Sequence, residues 1–172
     1  FDGEDKDMAG NGPFSWIIFV GDSGEGLDDY DLWTTSLVKR GFIVVITQAL
    51  SDETDVEATL ERFVDIRSSM VEQNQSNEHV MGTAGNIDLD HWGVSGHGKG
   101  ATAAYLSFPF WEQSSAGSDA HPPRGLYGLG IDFEDLEEGF GWTDVASPNF
   151  PRPNTGLFIT GTVDEVAPSQ AA

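Results

Sequence analysis

The chain has 172 residues, 38% of them apolar, with 11 Phe, 5 Trp and 3 Tyr. That is enough to bury the core of one domain and argues against a disordered chain. With 29 acidic and 8 basic residues, a net charge of −21 and no cysteine, the composition argues against nucleic acid or an anionic membrane as partner and excludes disulfides and thiolate metal sites.

No apolar run approaches the ~20 residues of a membrane span. His79, His91, His97 and His121 show no metal-ligand spacing, so neither a metal nor a cofactor is expected. The acidity is spread along the chain and reads as a solvated surface. A salt-rich habitat, where self-repulsion is screened, would account for it. The chain starts at Phe1 and shows no signal peptide. Both ends read as cut, and the expectation is a soluble fragment or processed chain, secreted or from a high-salt environment.

Residues 1–12 are polar and acidic and read as a flexible arm, ahead of one domain over residues 13–172. Asp2, Asp5 and Asp7 lack the spacing of an EF-hand loop. Residues 16–20 (Trp-Ile-Ile-Phe-Val) form a fully apolar run, as expected of a strand covered on both faces. After a glycine-rich break, residues 27–40 read as a helix. Its acidic residues Asp28, Asp29 and Asp31 come first and its basic Lys39 and Arg40 last, in keeping with the helix dipole. Residues 42–47 form a second buried strand. Thr54 and Glu57 make a T-x-x-E capping box for a helix with Val56, Leu60, Phe63, Val64 and Met70 on one side.

Residues 74–86 read as loop, 87–95 as a third strand, 101–107 as a helix and 108–124 as loop again. Residues 126–131 and 156–161 give a fourth and a fifth strand, with a long connection between them. Apolar strands alternating with amphipathic helices predict βαβ units, a mostly parallel sheet and helices on both faces, a three-layer α/β fold. Ligands of such sheets bind beyond the carboxyl ends of the strands. Three loops fall there: residues 21–26, 96–100 and 162–164.

Residues 93–101 (Gly-Val-Ser-Gly-His-Gly-Lys-Gly-Ala) join the third strand to the next helix through a small-residue turn. The frame Gly96-His97-Gly98-Lys99-Gly100 is a G-x-S-x-G with glycine in the central place. Together with residues 88–92, it resembles the strand, nucleophile elbow and helix of the α/β-hydrolases of dienelactone hydrolase, chlorophyllase and PET hydrolase (cutinase-like) type. Residues 19–30 are similar to that family's oxyanion loop, 37–45 to the helix and strand after it, and 156–168 to the strand and loop bearing the catalytic acid. The resemblance covers residues 13–168 in the family's order.

It implies an α/β-hydrolase-type fold and serine-dependent hydrolysis of carboxylic esters, with a small-molecule ester or related ligand as partner. By position, Gly98 matches the nucleophile and Asp164 the acid. Ser23 and Lys99 match the two residues whose backbone N–H groups form the oxyanion hole. The family's histidine follows the acid, yet residues 165–172 contain none. The expectation is therefore a domain incomplete at its C-terminus and impaired in catalysis. Ser95 falls three places before the nucleophile, within the strand, and His97 reads as a packing residue.

Two other readings stay open. One is a non-catalytic binding module on the hydrolase scaffold. The other is nucleotide binding, because Gly93-x₄-Gly98-Lys99 matches the start of a P-loop, although Gly100 stands where the motif needs Ser or Thr for Mg²⁺.

Overall fold

Among the described residues five strands form one sheet, each pairing parallel to its neighbours: β1 (Phe14–Gly21), β2 (Ile43–Gln48), β3 (Ile87–His97), β4 (Gly125–Leu129) and β5 (Gly156–Ile159). Their order across the sheet is β2-β1-β3-β4-β5. The computed structural model describes residues 12–22, 24–48, 56–75, 85–114, 123–130 and 156–159. The described connections hold three α-helices: α1 (Asp31–Val38), α2 (Val56–Gln75) and α3 (Lys99–Ser114).

Alternation along each strand sorts the side chains onto two faces. On one face Trp16, Ile18 and Val20 of β1, Trp92 and Val94 of β3 and Leu126 of β4 meet Phe63 and Met70 of α2 and Ala103, Ala104 and Trp111 of α3. Trp16 stacks on Trp92 at 4.8 Å, and Trp111 meets Trp92 edge-on at 5.1 Å. On the other face Phe19 packs against Tyr30 and Trp33, and Trp33 also stacks with Tyr127. Helices α2 and α3 thus cover one side and α1 the other, which is the three-layer α/β arrangement expected from the alternation of strands and helices. Among the described residues no helix is long and apolar enough to cross a membrane.

Three local expectations need correction. The helix expected over 27–40 opens as a 3-10 turn, Leu27–Tyr30, before α1 begins. Helix α2 runs through Gln75, into the expected loop. Helix α3 does not stop at 107 but continues to Ser114, through Pro109. Proline inside a helix removes a hydrogen bond and crowds the carbonyl four residues back, which is why the sequence reads as loop there. Burial of Trp111 against Trp92 rewards the extra turns and overrides the local preference.

From β1 the chain steps to β2 on one side; from β3 it steps to β4 and β5 on the other. The direction reverses between β1 and β3. In parallel α/β sheets the crevice outside the carboxyl ends of such a strand pair is the usual ligand site. Here those ends carry Gly21 and Asp22 on one strand and His97 and Gly98 on the other.

Candidate active site

The turn from β3 into α3 is a single residue. Gly98 has φ +52°, a left-handed conformation that side chains rarely adopt. Its carbonyl accepts from the N–H groups of Ala101 and Thr102 and starts the helix, while its own N–H donates to the Leu129 carbonyl at the end of β4 at 2.9 Å. So sharp a turn brings strand and helix together, and the flanking glycines make room. A Cβ on Gly96 would lie 2.3 Å from the Gly100 carbonyl carbon, and one on Gly100 would lie 2.1 Å from the Val20 carbonyl oxygen. The spacing Gly96-x-Gly98-x-Gly100 is thus a packing requirement among β3, α3 and β1.

Asp22, the first residue past β1, fills the hollow of this turn. A Cβ on Gly98 would lie 2.4 Å from Asp22 Oδ2, and the Lys99 N–H donates to Asp22 Oδ1 at a long 3.3 Å. The Asp22 carboxylate therefore occupies the space into which an elbow side chain would project. It faces one of the two N–H groups that the resemblance assigns to the oxyanion hole. An anion at this point also meets the positive end of α3.

Behind Asp22 stands Tyr30, only 8% exposed. Its Oη accepts the Asp22 N–H at 2.9 Å and lies 3.0 Å from His97 Nδ1. Either group can donate across this contact, depending on the histidine tautomer. Glycine at position 21 lets the ring approach, since a Cβ there would lie 2.6 Å from Tyr30 Cε2. Burial raises the Tyr30 pKa, opposed by the Asp22 backbone N–H bond and reinforced by the carboxylates of Asp22, Glu25 and Asp29.

A raised pKa in the fold means that the neutral phenol stabilises the native state fully below the ordinary value of 10.0. That contribution is lost as pH rises through the higher native value. Tyr30→Phe is expected to destabilise the protein by about 1–3 kcal/mol at neutral pH, because it strands the Asp22 N–H. It is also expected to flatten the fall in stability above pH 10; urea titrations of both proteins across that range check both points.

Of the residues predicted from sequence, Gly98 and Lys99 come together at the elbow. Ser23 and Asp164 lie outside the described residues. Ser95 sits in β3 as expected, 2% exposed, on the α1 side, paired in register with Phe19 and Tyr127. Its hydroxyl has no hydrogen-bond partner among the described residues. Ser95→Ala should therefore be neutral, or stabilising by up to about 1 kcal/mol, in thermal unfolding. His97 does more than pack, since it bonds Tyr30. Asp22 and Tyr30 were missed, and the signal that marks them is position: an Asp directly after a buried strand and a Tyr opposite a glycine.

Residues 93–97 lie within β3 and are paired with β1 and β4. A P-loop needs those residues free to wrap a phosphate, so the geometry gives the nucleotide reading no support.

No family model matches the chain, and no curated protein matches it. Among solved structures it is similar to RedJ, solved with a polyethylene glycol molecule bound in the active site, at 18% identity and a TM-score of 0.43. The match covers 77% of this chain and 48% of RedJ, so the chain spans about half the length of that protein. A likeness this distant carries no weight for the site. The α/β architecture rests on strand order, register and the two helical layers.

Proposed function

We propose that this chain is a serine-esterase-type α/β-hydrolase domain that keeps the nucleophile elbow as a structural turn and does not hydrolyse esters by the covalent route. Asp22 carries the reading: its carboxylate stands 2.4 Å from where a side chain on Gly98 would begin and takes the Lys99 N–H. An acyl-transfer site needs a nucleophile there and a vacant pair of donors for the developing oxyanion. Gly98 offers no nucleophile, and a resident carboxylate would repel the oxyanion it displaces.

Loss of a triad serine lowers turnover by about 10⁶, and what remains comes from binding and the oxyanion hole. With a carboxylate on the Lys99 N–H, even that remainder should be reduced. The 172-residue chain is expected to give no saturable hydrolysis of short-chain p-nitrophenyl esters and no labelling by a fluorophosphonate probe. Saturable turnover blocked by that probe would overturn the proposal.

A further inference from the structure

Helix α1 has eight residues, about 12 Å of helix, and covers only part of its side of the sheet. Beside it lies an apolar groove of about 690 Å³, within the usual size of a small-molecule site. Trp33, Leu37 and Phe42 form one wall; Ile17 and Tyr127 belong to the floor.

The two ends of this groove carry different chemistry. Ser95 lines the inner end, where the two residues flanking it in register, Phe19 and Tyr127, both touch the Trp33 ring. It is 2% exposed and its hydroxyl is unpartnered among the described residues. A buried hydroxyl without a partner is a standing cost unless a ligand supplies one.

Arg40 and Arg124 line the groove toward the amino ends of the strands. Their side chains bond backbone carbonyls, of Ser36 and Asp90 respectively, and among the described residues neither has a carboxylate in ion-pair range. Arg40 also bonds the Ser36 hydroxyl. His91, at the same end, is paired with Asp88 at 2.8 Å. Both guanidinium groups line one groove. They are complementary to an anion, and Arg matches a carboxylate best.

The Arg124 Nε donates to the Asp90 carbonyl at 2.9 Å. Arg124 precedes Gly125, which pairs with Gly93, so its backbone stands three residues, roughly 10 Å, from the level of Ser95 and Tyr127. Its side chain reaches further back to the Asp90 carbonyl, and the span suits a chain of about ten carbons. We propose that the groove binds a medium-chain carboxylate bearing a terminal hydroxyl or carbonyl oxygen. The carboxylate sits on Arg40 and Arg124, the chain lies against Ile17 and Tyr127, and the far oxygen meets Ser95. This site is separate from the elbow and does not depend on the elbow's lack of activity.

Calorimetric titration of the whole chain with 10-hydroxydecanoate, decanoate and 1-decanol tests the proposal, at about 0.5 M salt so that repulsion from the acidic surface is screened. The hydroxy acid should bind about three- to tenfold more tightly than decanoate, the worth of one net hydrogen bond. Decanol should bind more weakly than either acid. Ser95→Ala should erase the difference between the two acids, and Arg124→Gln should weaken both about tenfold. Equal affinity of the two acids for the unaltered chain would overturn the proposal, as would binding indifferent to Arg124→Gln. So would a chain that dimerises on sizing and takes up neither acid, since the groove would then belong to a second copy. The ligand comparison on the unaltered chain stands whether or not a variant folds.

Discussion

Replacing Gly100 with alanine is expected to destabilise the protein by about 3 kcal/mol or more, at the upper end of overpacking effects. The added methyl would lie 2.1 Å from the Val20 carbonyl oxygen and 2.9 Å from that of Gly21. Both are backbone atoms of a strand paired on both sides, so no side-chain rotation relieves the clash. Helix α3 must retreat from β1, and with it Ala104 and Trp111 from the core they share with Trp16 and Trp92. Gly96→Ala should behave alike, because its methyl would lie 2.3 Å from the Gly100 carbonyl carbon. Gly125→Ala is the control: nothing lies within 4 Å of its Cβ position, and it should shift the urea midpoint little. Equal midpoints for Gly100→Ala and Gly125→Ala would refute the close-packed elbow.

Gly98→Ser restores the expected nucleophile on paper, yet it should leave the chain inactive and less stable. Two effects oppose it, and they differ in kind. The backbone effect cannot be relieved: a non-glycine residue at φ +52° costs about 1–2 kcal/mol. The steric effect can be: the new Cβ meets Asp22, whose carboxylate can rotate away at the expense of its bond from the Lys99 N–H. A destabilisation of about 1–3 kcal/mol follows. The serine would still share the elbow with a carboxylate, and His97 Nδ1 is engaged by Tyr30 at 3.0 Å. Ester turnover of Gly98→Ser should stay at the level of the unaltered chain, measured with the same p-nitrophenyl esters.

Much of this architecture is legible in the residue order. Apolar runs announce strands, which is how residues 16–20 and 42–46 stand out, although β2, at the edge of the described sheet, is only half-buried where a fully buried strand was expected. Gly96, Gly98 and Gly100 mark the elbow because close packing leaves no room for a Cβ. The far end of α3 is illegible for the opposite reason: Pro109 and the serines around it speak locally for a loop, and only the contact of Trp111 with Trp92 keeps the helix going. Asp22 is harder still. It stands 77 positions from Lys99, and only the parallel pairing of β1 with β3 brings the two strand ends together. The resemblance to the ester hydrolases points to Ser23 and Lys99 as backbone donors and is silent on a carboxylate at the Lys99 N–H. On the reading proposed above, Asp22 at that point makes the elbow a closed structural turn.

A double-mutant cycle between Gly98→Ala and Asp22→Ala tests that claim most directly. Asp22→Ala empties the hollow of the turn and leaves the backbone unchanged. Measured by urea unfolding, the cost of Gly98→Ala should fall by about 1 kcal/mol when Asp22 is already alanine, the coupling expected of residues competing for one space. The strain of φ +52° should remain as the residual cost. Additive costs, with Gly98→Ala equally harmful whether or not Asp22 is present, would contradict the account and place the Asp22 carboxylate elsewhere.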